Sequence, residues 1–197
     1  MQDPADGGVY HKLTTPEFEA FIKPGECKKP RYVVQKSVTA TLDFAASMAQ
    51  AARIYRNFEE YATKAEIMEQ AAEAAFLWAL EHPDALYNQF RMNEQFTPAI
   101  QTGAYGDFSA RDEFFWSSCE LYLTTQKAAY LDKILEYAPE KFTAPTWGNV
   151  YGLGIFALLT HNKATPEMKE QLISFCDSVV SLAGGAPFAS SYGNSVH

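Results

Sequence analysis

Three stretches of this chain read as helices almost without charge, and each is followed by a helix that is rich in it. Thr39 to Arg56 carries only Asp43 before Arg53. Arg111 to Thr125 carries only Glu120 after its first turn, and Trp147 to Thr160 has no charge at all. Their followers differ. Glu59 to Glu81 sets Glu59, Glu60, Lys64, Glu66, Glu69 and Glu73 against a stripe of Tyr61, Ala65, Met68, Ala72, Ala75 and Ala79 at helical spacing. Ala128 to Tyr137 carries Asp132, Lys133 and Glu136, and Thr165-Pro166-Glu167 opens a charged helix to about Ala183, with proline at its first position. A helix that is apolar all round must be buried on every side, whereas one with a single apolar stripe lies at the surface. No strand pattern competes. The fold class that follows is all-α: three hairpins, each an inner helix followed by an outer one, in two layers.

Three such hairpins make an arc, and an arc leaves its end helices with bare apolar flanks. The chain is therefore expected to stack as a short helical assembly or to be part of something longer. The breaks between hairpins are long and unlike one another, and no 34-residue period runs through them, which disfavours a regular repeat. Residues 1–37 are irregular. Asp3 to Gly8 is turn chemistry, Val9 to Leu13 is a short extended patch, and Pro16, Pro24, Gly25 and Pro30 exclude long helices. A connection of that length in a compact domain is usually functional.

Charge and composition narrow the partners. A net charge of −8 disfavours nucleic acid and anionic membrane surfaces, and no run approaches the roughly 18 apolar residues of a membrane span. Hydrophobic residues at 47%, with 14 Phe, 11 Tyr and 3 Trp, suffice for a core and leave rings to spare for a ligand cleft. Cys27, Cys119 and Cys176 match no zinc spacing or disulfide framework, and Cys119 and Cys176 are expected in the core. Met1-Gln2-Asp3-Pro4 opens no signal peptide.

The chemistry concentrates in Thr102 to Thr125, a glycine-bearing acidic turn running into an aromatic helix. Ser109 is placed to N-cap that helix, with Asp112 in the position of a capping-box acid. Asp107, Asp112 and Glu113 crowd three carboxylates into seven residues. Two readings stand: acids that complement the helix dipole, or ligands for a hard cation such as calcium. Asp43 is the one carboxylate on the first buried helix, and a bond to a neighbouring loop accounts for it without a catalytic role. Tyr105 is expected at a cleft rim. Trp147, opening its helix, either projects from the helix end or packs in the core, while Trp78 and Trp116 are core residues. His11 alone reads as structural or exposed.

Four segments carry a resemblance. DGGVYHKLT (Asp6–Thr14), PRYVVQKSVTATLDFAASMAQAARIY (Pro30–Tyr55), TGAYGDFSARDEFFWSSCELYLTT (Thr102–Thr125) and FTAPTWGNVYGLGIFALL (Phe142–Leu159) together resemble the central part of the family 9 glycoside hydrolases, cellulases and related β-glucanases. The resemblance implies part of an (α/α)6 barrel spanning residues 1–197, with cleft loops at 1–37 and helical hairpins at 38–197. It implies His11, Tyr105 and Trp147 as substrate-binding residues on a β-glucan, and a structural calcium on Asp107, Asp112 and Glu113 with a carbonyl near Asn149. Inverting hydrolysis needs two carboxyl groups about 6.5–9.5 Å apart. In the family these lie upstream and downstream of the segments matched here, so the resemblance implies no catalytic residue in this chain. The ends at Met1 and at Pro187–His197 resemble breaks within the domain. The parent enzyme is then expected to be secreted or periplasmic, the isolated chain inactive, and the rest of the domain its partner across the bare flanks. The competing reading is a non-catalytic helical scaffold that binds glycans or a partner protein.

Overall fold

A computed structural model describes residues 1–191. Seven α-helices follow an irregular opening: α1 (Val38–Tyr55), α2 (Ala62–Glu81), α3 (Gln89–Gln95), α4 (Arg111–Thr125), α5 (Ala128–Tyr137), α6 (Tyr151–Thr160) and α7 (Pro166–Gly185). Their ends follow local chemistry. Ser37 Oγ accepts the Ala40 amide at the start of α1, Asn88 caps α3, and Thr165 caps α7 with Pro166 behind it. The opening residues hold a two-residue antiparallel ribbon, β1 (Leu13–Thr14) against β2 (Tyr32–Val33), and a bridge between Tyr10 and Lys36. No helix among the described residues is long and apolar enough to cross a membrane.

The arrangement is the expected arc. Helix α1 packs on α2 and α4, and α4 packs on α5 and α6. One core lies between α1, α2 and α4, where Leu42, Ala45 and Ala49 meet Ala72, Ala75, Phe76 and Ala79 beneath Phe114 and Leu121. The small side chains let α1 and α2 approach closely. The second core joins Phe115, Cys119 and Leu123 of α4 to Ile134 of α5, Ile155 and Leu158 of α6, and Met168 of α7. Contact between α4 and α6 depends on Gly154, where a Cβ would stand 2.7 Å from the Phe115 ring. Full burial of side chains such as Leu42, Phe115, Leu121 and Ile155 stabilises the fold by about 1.5–3 kcal/mol each.

Only the middle inner helix is buried all round. In α4, every residue from Asp112 to Thr124 is buried except half-buried Trp116 and Tyr122. Helix α1, expected to be buried on every side, exposes Ser47, Gln50 and Ile54, and α6 exposes Phe156. The reason is position: α4 has an inner neighbour on each side, α1 and α6 have one each.

Several local expectations shift. Helix α6 starts at Tyr151, because Thr146 and Asn149 bridge to make a turn that leaves Trp147 outside it. The N-cap of α4 is Ala110; Ser109 Oγ accepts from the Arg111 amide, and Asp112 makes no capping box. Cys119 is buried as expected, but Cys176 is exposed on α7, of which only Met168 is fully buried. Helix α3 was not legible from its pattern. Trp78 is buried, its indole N–H donating to Asp6 Oδ2 at 3.2 Å. Of the expected break at Pro187–His197, residues 192–197 lie outside the described residues.

Candidate functional site

Helices α1 and α4 present their N-terminal turns at the same end of the arc, and the irregular segments gather over that end. A cleft of about 340 Å³ opens there. Its lining brings together His11, Tyr105 and Trp147, three side chains far apart in sequence, with Asp107 and Glu113. Asp112 stays outside the lining. Lys12, Thr39 and Asp43, which the sequence did not assign to a site, complete the polar surface.

One wall is built from the opening segment and the turn before α4. His11 Nδ1 lies 2.8 Å from Ser37 Oγ, and Nε2 lies 3.1 Å from the Ala104 carbonyl. A carbonyl only accepts, so Nε2 carries the proton and Nδ1 accepts from the serine hydroxyl. Burial pushes the imidazole pKa down, which favours this neutral form. The ring also stacks on Tyr87, centroids 4.1 Å apart. His11 thus lines the cleft with both nitrogens engaged within the protein. Tyr105 takes a left-handed backbone (φ 53°) that turns its ring over Gly103, where a Cβ would come within 2.7 Å of it, and it remains 63% exposed. Trp147, on the opposite loop, is 84% exposed. A flat ring so exposed beside a cleft suits an apolar ligand face.

The floor is acidic. Asp43 Oδ1 and Glu113 Oε2 are both buried with no hydrogen-bond partner. Desolvation, with Asp112 and Asp107 nearby, pushes the Asp43 pKa up to about 6. Desolvation, with Asp112 and then Asp43 adding repulsion, pushes Glu113 up to about 9. Both shifts favour the protonated form of the acid, which can donate a hydrogen bond, and the shift is the larger at Glu113. The neighbouring-loop bond expected for Asp43 is not made by Oδ1. Asp112 has a structural duty instead: its Oδ2 accepts the Val150 amide at 2.8 Å, fastening the start of α6, and hence the Trp147 turn, to α4.

These donors suit a hard cation in chemistry, and the orphan oxygen of Glu113 is a feature an ion would satisfy. Their placement does not suit one: among the described residues no three His, Cys, Asp or Glu side chains stand together as a metal-holding set.

The family model for Glycosyl hydrolase family 9 matches residues 2–196. A xyloglucan-specific endo-beta-1,4-glucanase from Bacteroides ovatus is 50% identical over 203 residues, covering 98% of this chain and 35% of that enzyme. Endoglucanase D of Acetivibrio thermocellus is 30% identical over 192 residues, covering 91% of this chain and 29% of that protein. Among solved structures, the Bacteroides ovatus GH9 protein superposes with a TM-score of 0.92 at 50% identity, over 99% of this chain and 37% of that one. A thermostable endoglucanase from Alicyclobacillus acidocaldarius superposes with a TM-score of 0.85 at 29% identity, over 98% and 36%. The chain spans about a third of the length of these two curated relatives. Its three hairpins correspond to part of an (α/α)6 barrel. Matched over residues 2–196, with the inner and outer helices that architecture requires, the chain belongs to glycosyl hydrolase family 9.

Proposed function

We propose that this chain forms one wall and the floor of the substrate cleft of a β-1,4-glucan hydrolase, with the catalytic acid and base supplied by segments outside it. The observation that carries this reading is the convergence of His11, Tyr105 and Trp147 on one cleft at the N-terminal end of the inner helices. Tyr105 and Trp147 offer rings for the C–H faces of a pyranose. The acids along the floor offer acceptors for its hydroxyls. Because the relative at 50% identity is xyloglucan-specific, a xyloglucan oligosaccharide is the first ligand to try, with cellohexaose beside it. The parent protein then acts outside the cytoplasm, since its polymeric substrate does not cross a membrane.

Fluorescence titration of the chain tests this. Trp147 emission should change on saturation, Trp147→Ala should weaken binding at least about tenfold, and the chain alone should not hydrolyse carboxymethylcellulose. Absence of binding to either oligosaccharide would overturn the proposal. A second reading rests on the two raised carboxyl pKa values in the cleft, a pattern that also marks acid–base pairs. It predicts turnover by the isolated chain that is lost in both Asp43→Asn and Glu113→Gln. We further propose that Asp107, Asp112 and Glu113 bind calcium as a structural ion once the Asp107 turn moves to bring them together. A melting temperature that rises with calcium and falls back with chelator would support this, and an unchanged one would refute it.

A further inference from the structure

The turn that carries Tyr105 is held from beneath by a lysine that has no carboxylate partner among the described residues. Lys12 Nζ donates to Gln89 Oε1 at 2.8 Å, to Thr102 Oγ1 at 3.2 Å and, by a short bond, to the Gly103 carbonyl. The Thr102 carbonyl is a fourth, longer contact at 3.5 Å, so the three ammonium hydrogens have four acceptors within reach. The same nitrogen sits 5.7 Å from the ring centroids of both Tyr87 and Tyr105. No Lys12 ion pair occurs among the described residues. A cation held only by dipoles and ring faces is costly to desolvate, so its place at the cleft wall needs a reason.

The reason lies in what the turn must do. Tyr105 has a positive φ that side-chain-bearing residues rarely adopt, and such a conformation persists only where its surroundings over-determine it. Here they do. The Thr102 carbonyl accepts from Gln89 Nε2 at 2.8 Å, the Gly103 carbonyl from Lys12, and the Ala104 carbonyl from His11 Nε2. Three successive carbonyls are fastened to the opening segment and to α3. Lys12 is the member that touches both the turn's backbone and the face of the ring it presents.

We propose that Lys12 is a positioning residue that holds Tyr105 as a preformed aromatic wall of the cleft, so that glucan binding does not have to order the turn. The proposal rests on the cleft reading above for its ligand, but not for its mechanics. The ordering cost that a loose turn would otherwise impose on binding is what the cage removes.

Two measurements on the whole chain test it, with Lys12→Met keeping the stem and removing the charge. Without ligand, backbone amide hydrogen exchange at Gly103 to Gly106 should speed up in Lys12→Met while the amides of α4 stay protected. With xyloglucan oligosaccharide or cellohexaose, affinity should fall about tenfold, and adding Tyr105→Ala to Lys12→Met should cost far less than Tyr105→Ala costs alone. Should Lys12→Met unfold, Gln89→Ala removes one strut of the cage and should show the same exchange signature in milder form. Unchanged exchange at the turn in both variants would overturn the proposal whether or not sugar binds. Faster exchange with full affinity, or additive losses in the double variant, would overturn it as well. Sugar binding absent from the unmodified chain would instead sink the cleft reading, and the exchange result would still decide the clamp.

Discussion

At the scale of single residues, Asp43 makes the sharpest prediction. Its carboxyl is buried at the cleft floor, with Oδ1 unpartnered and its pKa raised from 3.8 to about 6, chiefly by desolvation. A raised acid binds its proton more tightly in the folded state than in the unfolded one. Its stabilising contribution is complete below about pH 4 and is lost as pH rises through 6, because there the fold must bury a charge. The loss is on the order of 3 kcal/mol. Asp43→Asn should therefore raise stability at pH 7, leave it little changed near pH 4, and flatten the slope between them in urea titrations. An unchanged slope would mean that water or a ligand already satisfies the carboxylate. Sequence alone identified Asp43 as the isolated acid of a buried helix. Its missing partner depended on which loop faces it, and that is a tertiary matter.

Between elements, α1 and α4 are locked by a buried polar chain at their far ends. Glu120, fully buried, pairs with Arg53 at 2.6 Å and accepts from Gln50 Nε2 at 3.2 Å. Arg53 also donates to Thr124 Oγ1 at 2.9 Å, whose hydroxyl donates to the Ala49 carbonyl at 2.8 Å. Removing one partner strands the other charge, so Glu120→Ala should cost about 3–5 kcal/mol. The paired replacement Arg53→Met with Glu120→Leu should cost much less, because no orphan charge remains. Chemical denaturation of the three proteins checks this, and a double variant as weak as Glu120→Ala would refute it. The pairing was not legible in the sequence: Glu120 read as the lone charge of its helix after the first turn and Arg53 as the close of another. Helix alternation was legible, because a helix without charge has only one stable environment. The exact start of α6 was not, since Trp147 to Val150 is as uncharged as the helix that follows.

On the scale of the whole molecule, the arc ends in exposed apolar residues, among them Ile54 on α1, Phe156 on α6, and Ile173, Val180 and Leu182 on α7. The two curated relatives compared above are about three times as long as the matched region, and we propose that the remainder of such a domain covers these flanks. Co-expression with the flanking segments of a family 9 domain should raise the chain's melting temperature and suppress its association, measured by scanning calorimetry and sedimentation. Equal values with and without those segments would count against that cover. What the sequence determined by itself was the all-α class, the inner and outer order of the helices and the family, because buried and wetted helices differ in composition all along their length. The tertiary structure alone decided that Lys12, Asp43 and Glu113 line one cleft with His11, Tyr105 and Trp147, and which of them are already bonded within the protein. Such convergence depends on how loops fold over helix ends, where the pairing of a few polar atoms matters and no periodic pattern records it.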